Sequence, residues 1–266
     1  TLLLKLPSVF SDLFCAGAVL FLTRRRLGEK SALFLAGAYL FCPAVFLNSA
    51  QWGQVDSFCT AVLLGSVLLL DKERYIPSAA LYGVAVVCKP QMLVFAPLYL
   101  FITWQRKKWL KLLLGIVVTL GTVLLVALPF TQGFNFMWLL QRYQATLEYY
   151  NYYSVNAYNF WGLIGWNWKT LPEGLLGSLM DFVGPIIATV FCGVAVFRSK
   201  RKEVLYYCPA LLMAVMYAFS VKMHERYLFP ALLFSILAFV FTQDKRLLRA
   251  FALLATVNYV NVAYVL

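Results

Sequence analysis

RSKRKEVLYYCPALLMAVMYAFSVKMHERYLFPALLFSILAFVFTQDKRLLR, residues 198–249, decides the fold class. Two apolar runs, 204–221 and 228–242, flank KMHERY (222–227), which carries the only histidine of the chain. Basic turns, RSKRKE and QDKRLLR, fence the pair on its outer sides. Apolar runs partition into hydrocarbon, and Lys and Arg stay with the cytoplasmic headgroups. Two crossings therefore return both basic turns to one face and leave KMHERY on the other.

The same unit repeats along the chain. Residues are 62% hydrophobic and 13% charged, against about 45–50% and about 25% in soluble domains. Apolar runs fall at 6–22, 31–47, 57–70, 76–89, 92–104, 110–130, 175–197, 204–221, 228–242 and 250–266. The expectation is an all-α polytopic bundle of about ten spans. Seventeen of the 23 Lys and Arg residues sit in RRRLGEK, DKER, QRKKWLK, RSKRKE and QDKRLLR, one set of alternate turns. Only Lys5, Lys89, Arg142, Lys169, Lys222 and Arg226 remain for the other face. This alternation makes the basic turns cytoplasmic. It also makes the net charge of +12 a matter of topology and anionic-lipid contact rather than of nucleic acid. The six cysteines lie in or at the ends of apolar runs without a CxxC pair, as buried apolar residues do.

Four motif segments share the opposite face. The runs 57–70, 76–89, 92–104 and 228–242 are shorter than the ~20 residues a helix needs to cross, and each borders a motif. These turns are expected below the membrane surface, where irregular backbone must line a cavity. FLNSAQWGQVDS (46–57) gathers Asn48, Gln51, Gln54 and Asp56 around Trp52, a set that suits sugar hydroxyls and the apolar face of a sugar ring; an ordinary turn with an interfacial Trp accounts for it equally well. KPQ (89–91) sets Lys89 and Gln91 at a proline break, and a lysine there needs an anionic partner or a route to the interface. Residues 131–174 form the long insertion, with Leu139, Leu140, Tyr143, Leu147 and Tyr150 at the spacing of a surface-lying amphipathic helix. Asn156, Asn159 and Trp161 follow, within an aromatic density that fits a membrane belt, a sugar subsite or a prenyl groove. In KMHERY, Lys222 and Arg226 at i,i+4 would share a helical face and clamp a phosphate with His224, with Glu225 and Tyr227 orienting them. A structural salt-bridge cluster is the alternative. Lys5 and Asp12, seven residues apart, share a face of the first run. A lone histidine gives too few ligands for a structural metal site; no cofactor is expected, and a divalent ion on the donor is left open.

NSAQWGQVDS, CKPQ, VNAYNFW and MHERYLFP, in this order, resemble the polytopic glycosyltransferases of the GT-C superfamily. The likeness is to bacterial and archaeal mannosyltransferase-like proteins related to the second mannosyltransferase of GPI-anchor synthesis, and more loosely to dolichyl-phosphate-glucose glucosyltransferases. It implies hexose transfer, mannose before glucose, from a polyprenyl-phosphate donor to a glycan, lipid or protein acceptor. Transfer would occur on the non-cytoplasmic face with inversion, in a bacterial or archaeal plasma membrane or in the endoplasmic reticulum. The family's catalytic aspartate usually lies in the first non-cytoplasmic loop, whereas this chain starts in what resembles a later helix. The expectation is a single transmembrane domain, 1–266, that is a fragment lacking that loop, or one in which Asp56, backed by Asp12, supplies the carboxylate. Lys89, Lys222, His224 and Arg226 would hold the donor phosphate. Asn48, Gln51, Trp52, Gln54, Gln91, Asn156, Asn159 and Trp161 would hold sugar. A transporter or lipid flippase, which would show repeated halves, and an inactive GT-C relative are the alternatives.

Overall fold

The protein is described by a computed structural model covering residues 2–131, 135–199 and 201–266. Lys200, residues 132–134 of the expected insertion and the side chain of Leu147 lie outside the described residues.

The chain is all-α in character, and each of the ten apolar runs is helical over most of its length. The order is α1 (Leu2–Leu40), α2 (Pro43–Phe46), a π-helical turn Leu47–Trp52, α3 (Asp56–Asp71), α4 (Tyr75–Cys88), a 3-10 turn Pro90–Phe95 and α5 (Ala96–Gln105). Next come α6 (Trp109–Ala127), α7 (Met137–Tyr149), β1 (Ser154–Val155), α8 (Phe160–Leu163), α9 (Leu175–Arg198), α10 (Val204–Phe219), β2 (Met223–His224), α11 (Phe229–Thr242) and α12 (Lys245–Val265).

The basic stretch 24–30 is not a loop. Helical backbone runs through it and breaks only at Gly28, whose φ of 82° and ψ of 174° suit a residue without Cβ. The chain doubles back there: Lys5 Nζ donates to the Gln51 carbonyl at 2.7 Å and Ser8 Oγ to that of Gln54 at 2.6 Å. A second reversal at Lys89–Pro90 stacks Tyr82 on Tyr99 with centroids 4.4 Å apart, so 76–104 is a hairpin rather than one kinked helix.

Four helical segments are long and apolar enough to cross a membrane by length and composition: Leu3–Leu40, Trp109–Phe130, Leu175–Arg198 and Lys245–Val265. The helices Tyr75–Cys88, Val204–Phe219 and Phe229–Thr242 are shorter, and Pro43–Trp52 meets Asp56–Asp71 at a bend of 119°. At 1.5 Å per residue a 14-residue helix spans only ~21 Å of the ~30 Å hydrocarbon core. The deficit falls at the motif turns. Helix α11 is buried on every side and forms the centre of the packing.

Contacts divide the polar residues into two sets at opposite ends of the bundle. At the basic end, Arg106 donates to the Leu70 carbonyl at 2.9 Å, Tyr206 donates to Asp71 at 3.1 Å, and Arg26 lies 4.0 Å over the Phe241 ring. At the other end the four motifs meet one another. KMHERY is not helical there: Lys222 has φ of 60° and Met223–His224 form β2, which pairs in parallel with β1. Lys222 and Arg226 therefore do not share a helical face. The left-handed Lys222 frees the backbone of 223–224 for the ladder, which a continued helix would have used internally.

The insertion folds as a small lobe against this end. Helix α7 forms as the spacing predicts, with Leu139 buried and Leu140 exposed. Tyr153, Leu171 and Val221 make a second apolar cluster with Trp161 and Trp166. Two bonds tie the lobe to the end of α10, from Asn159 Nδ2 to the Ser220 carbonyl (3.2 Å) and from Trp161 Nε1 to that of Phe219 (2.9 Å).

Ser220 is placed by Gly184 of α9: a Cβ there would sit 1.8 Å from Ser220 Oγ and 2.7 Å from its Cα. Gly37, in contrast, has nothing within 4 Å of such a Cβ. Gly184→Ala should lose about 1–3 kcal/mol through overpacking. Gly37→Ala should gain up to about 1 kcal/mol from helix propensity. Thermal melts of the two variants in detergent should move in opposite directions.

Candidate functional site

The site is assembled on three helix starts. Asp56 is the first residue of α3, Lys89 precedes the Pro90–Phe95 turn, and Arg226 and Tyr227 lie just before α11. Each of these residues therefore lies at the N-terminal end of a helical segment, the end where unpaired backbone N–H groups and the positive end of a helix dipole are found.

The first wall is α1. Lys5, Ser8 and Asp12, on the shared face the spacing predicts, meet Gln51, Gln54 and Ser57 in turn, with Ser57 Oγ donating to the Asp12 carboxylate. Gly53 makes room: its φ is 78°, and a Cβ there would lie 3.0 Å from Lys5 Cγ. Asp12 is thus buried on the α1 side of the α3 start, without a cation against it among the described residues.

On the other side of that start, Asp56 is fully buried and ion-paired with Lys89. The Lys89 ammonium lies 4.7 Å from the Tyr227 ring centroid, and the Arg226 guanidinium lies 5.7 Å from the same centroid and 5.1 Å from that of Trp52. Arg226 is also paired with the buried Glu225. Gln91 Nε2 donates to the Tyr227 carbonyl at 3.1 Å, which binds the KPQ turn to the KMHERY turn.

His224 closes the site from the lobe. Its ring stands edge-on to Tyr150 at 4.6 Å and 4.9 Å from Tyr227, with Nδ1 3.9 Å from Glu225. It lies in the connection between α10 and α11. Burial, then the Arg226 and Lys89 cations, bring its pKa down from 6.5 to about 4. His224 is therefore neutral at physiological pH and offers a hydrogen bond, not a charge.

Lys89, Arg226, His224, Gln91, Trp52, Asp56, Glu225 and Tyr227 come together. Other sequence candidates are engaged elsewhere. Lys222 is held at 2.9 Å by Asp181 of α9. Asn159 caps α8 by accepting from Gly162 N–H at 3.0 Å while its amide nitrogen binds Ser220, and Trp161 anchors the lobe. Asn156, at φ of 59°, takes the Trp168 indole N–H at 2.7 Å and the Asn167 amide at 3.2 Å. Gln51 and Gln54 act through their carbonyls on α1.

Asp181, Asn258 and Asn261 were not singled out from sequence, and Tyr150 only as part of the amphipathic spacing of the insertion. The two asparagines were visible as a VNYVN pair inside the last apolar run, and Asp181 as a lone acid in another. That spacing gave no sign of the contact between Tyr150 and His224.

Twelve buried side-chain N and O atoms among the described residues have no hydrogen-bond partner, and three belong to residues of this cluster: Asp56 Oδ2, Gln91 Oε1 and Arg226 Nε. Buried polar groups are otherwise nearly always paired, so these three atoms retain hydrogen-bonding capacity within the cluster.

Residues 55–178 match the family model described as ALG3 protein. The chain is similar to that family over this stretch. The family comprises dolichyl-phosphate-mannose-dependent mannosyltransferases of the GT-C class, so the match supports an integral membrane mannosyltransferase. It spans Asp56, Lys89, Gln91 and the lobe through Trp161, and covers just under half of the chain. No curated protein matches.

Breaking the Asp56–Lys89 pair strands a buried charge. Asp56→Asn and Lys89→Met should each cost ~3–5 kcal/mol, and the double variant should recover most of it; chemical denaturation in detergent measures the cycle. For His224, the unfolded chain takes up a proton through pH 6.5 and the native state only near 4. Its share of stability is complete above 6.5 and is lost as the pH falls toward 4. The melting temperature of wild type should drop more steeply over that window than that of His224→Gln.

Proposed function

We propose that the chain is a mannosyltransferase acting with inversion on the non-cytoplasmic face of a membrane, from a polyprenyl-phosphate-mannose donor to a glycan acceptor. The observation that carries this reading is the pair of cations, Lys89 and Arg226, held over one aromatic ring beside a buried carboxylate, Asp56. A lipid phosphate needs the cations; an attacking hydroxyl needs the carboxylate. The family match supports mannose and an isoprenoid lipid, and the segregation of the basic turns supports the sidedness and a count of about ten crossings.

In the reaction, the acceptor oxygen forms a bond to the anomeric carbon as the bond to the donor phosphate oxygen breaks. The phosphate leaves with the electron pair, and the hydroxyl proton passes to a carboxylate. Within residues 1–266 Asp56 is placed for that proton, through the oxygen that has no partner. Lys89 and Arg226 meet the charge growing on the phosphate, and fixed cations in a water-poor site do this better than solvent. Neutral His224 donates a hydrogen bond. Asn48, Gln91 and Trp52 border the sugar, with Gln51 and Gln54 contributing backbone. Lys222, bound by Asp181, positions the turn.

The apolar cleft of about 440 Å³ lined by Pro7, Phe10, Phe14, Phe58, Val62 and Leu81 begins two residues from Lys5 and from Asp56. Between α1 and α3 it would take an apolar isoprenoid tail.

The test is mannose transfer by the full-length protein in detergent, from labelled polyprenyl-phosphate-mannose or the glucose analogue, with a membrane glycolipid extract as acceptor. Arg226→Ala and Lys89→Ala should each lower kcat about 10²–10³-fold, and Lys222→Ala about tenfold or less. Folded Arg226 and Lys89 variants with wild-type turnover would refute the phosphate clamp. Absence of transfer from either donor would refute the transferase.

A further inference from the structure

Helix α12 buries only Phe251, Asn258, Asn261 and Val262 among its 21 residues. Two amides among four buried side chains are costly in an apolar setting unless each is hydrogen-bonded. Asn261 is. In the amide orientation that satisfies both ends, its nitrogen donates to the Asn156 carbonyl at 2.6 Å. Its oxygen accepts the Tyr217 hydroxyl and the Tyr158 N–H, the latter at 3.0 Å. One side chain thereby joins α12, α10 and the lobe.

Its partners lead directly to the site. Asn156 bridges His224, and the preceding Val155 is the β1 residue registered opposite His224. Tyr217 also accepts the Tyr158 N–H at 3.2 Å. No bond of Asn261 goes to the atoms proposed to hold phosphate or sugar. We propose that Asn261 is a positioning residue: it fixes Asn156 and, through the β1–β2 pair, sets where His224 stands beside the Lys89–Arg226 cations. In its catalytic consequence this rests on the transferase reading; as a structural cross-link it does not.

The experiment measures two things on the full-length protein in detergent: amide hydrogen exchange over 153–158 and 222–228, and donor-dependent kcat and KM. Asn261→Asp keeps the acceptor and removes the donor to Asn156, and Tyr217→Phe removes the hydroxyl from the other side. Asn258→Leu serves as the control, since both Asn258 amide atoms are buried without a partner. The expected result is exchange about tenfold faster over 153–158 and 222–228 in Asn261→Asp and Tyr217→Phe, with kcat at least tenfold lower and KM within threefold. Asn258→Leu should match wild type in both readouts.

Wild-type exchange in Asn261→Asp and Tyr217→Phe would overturn the cross-link. Faster exchange with undiminished kcat would overturn the positioning role. If wild type itself transfers no mannose, the transferase reading fails separately, and the exchange data still decide whether Asn261 holds the lobe.

Discussion

The ion pair between Asp56 and Lys89 is the contact on which the rest of the site depends. It joins the first residue of α3 to the turn between α4 and α5, two reversals that are 33 residues apart in sequence. Both charges are largely out of water, so neither is stable without the other or without a ligand that replaces it. The pair fixes the two short hairpins against each other, and Gln91 then carries the connection on to the turn before α11. In the proposed reading a phosphate beside Lys89 and Arg226 would compete for the same ammonium, so the structural bond and that role would meet on one nitrogen.

Much of this was legible in the chain. The alternation of basic and motif turns separates two ends, and the contacts of Arg26 and Arg106 on one and of Lys5, Lys89 and Arg226 on the other keep them apart. The shared face of Lys5 and Asp12 followed from helical periodicity, which a long apolar helix obeys closely. The reversal at Lys89–Pro90 followed from the charge alternation, which one helix kinked at Pro90 would have broken.

What was not legible depended on partners remote in sequence. Lys222 looked like a clamp residue because Arg226 lies four positions on, but β1 draws the backbone of 223–224 into a ladder and Asp181 takes the ammonium. Local spacing cannot report a strand pairing between residues 155 and 224. Asn159 and Trp161 carried the residue types of a sugar subsite; their use as a helix cap and as a lobe anchor is decided by Gly162, Phe219 and Ser220. The neutral state of His224 likewise arises from burial beside cations that come from other turns.

The helix starts at Asp56, Pro90 and Phe229 place His224 among buried cations, and this governs how the site meets acidity. Backbone dipoles do not titrate, and burial beside Arg226 and Lys89 keeps the imidazole of His224 neutral well below pH 6.5. The imidazole therefore adds no charge to this corner as the surroundings pass from neutral to mildly acidic. Acidity that would charge an exposed histidine thus leaves the imidazole here a neutral hydrogen-bonding group.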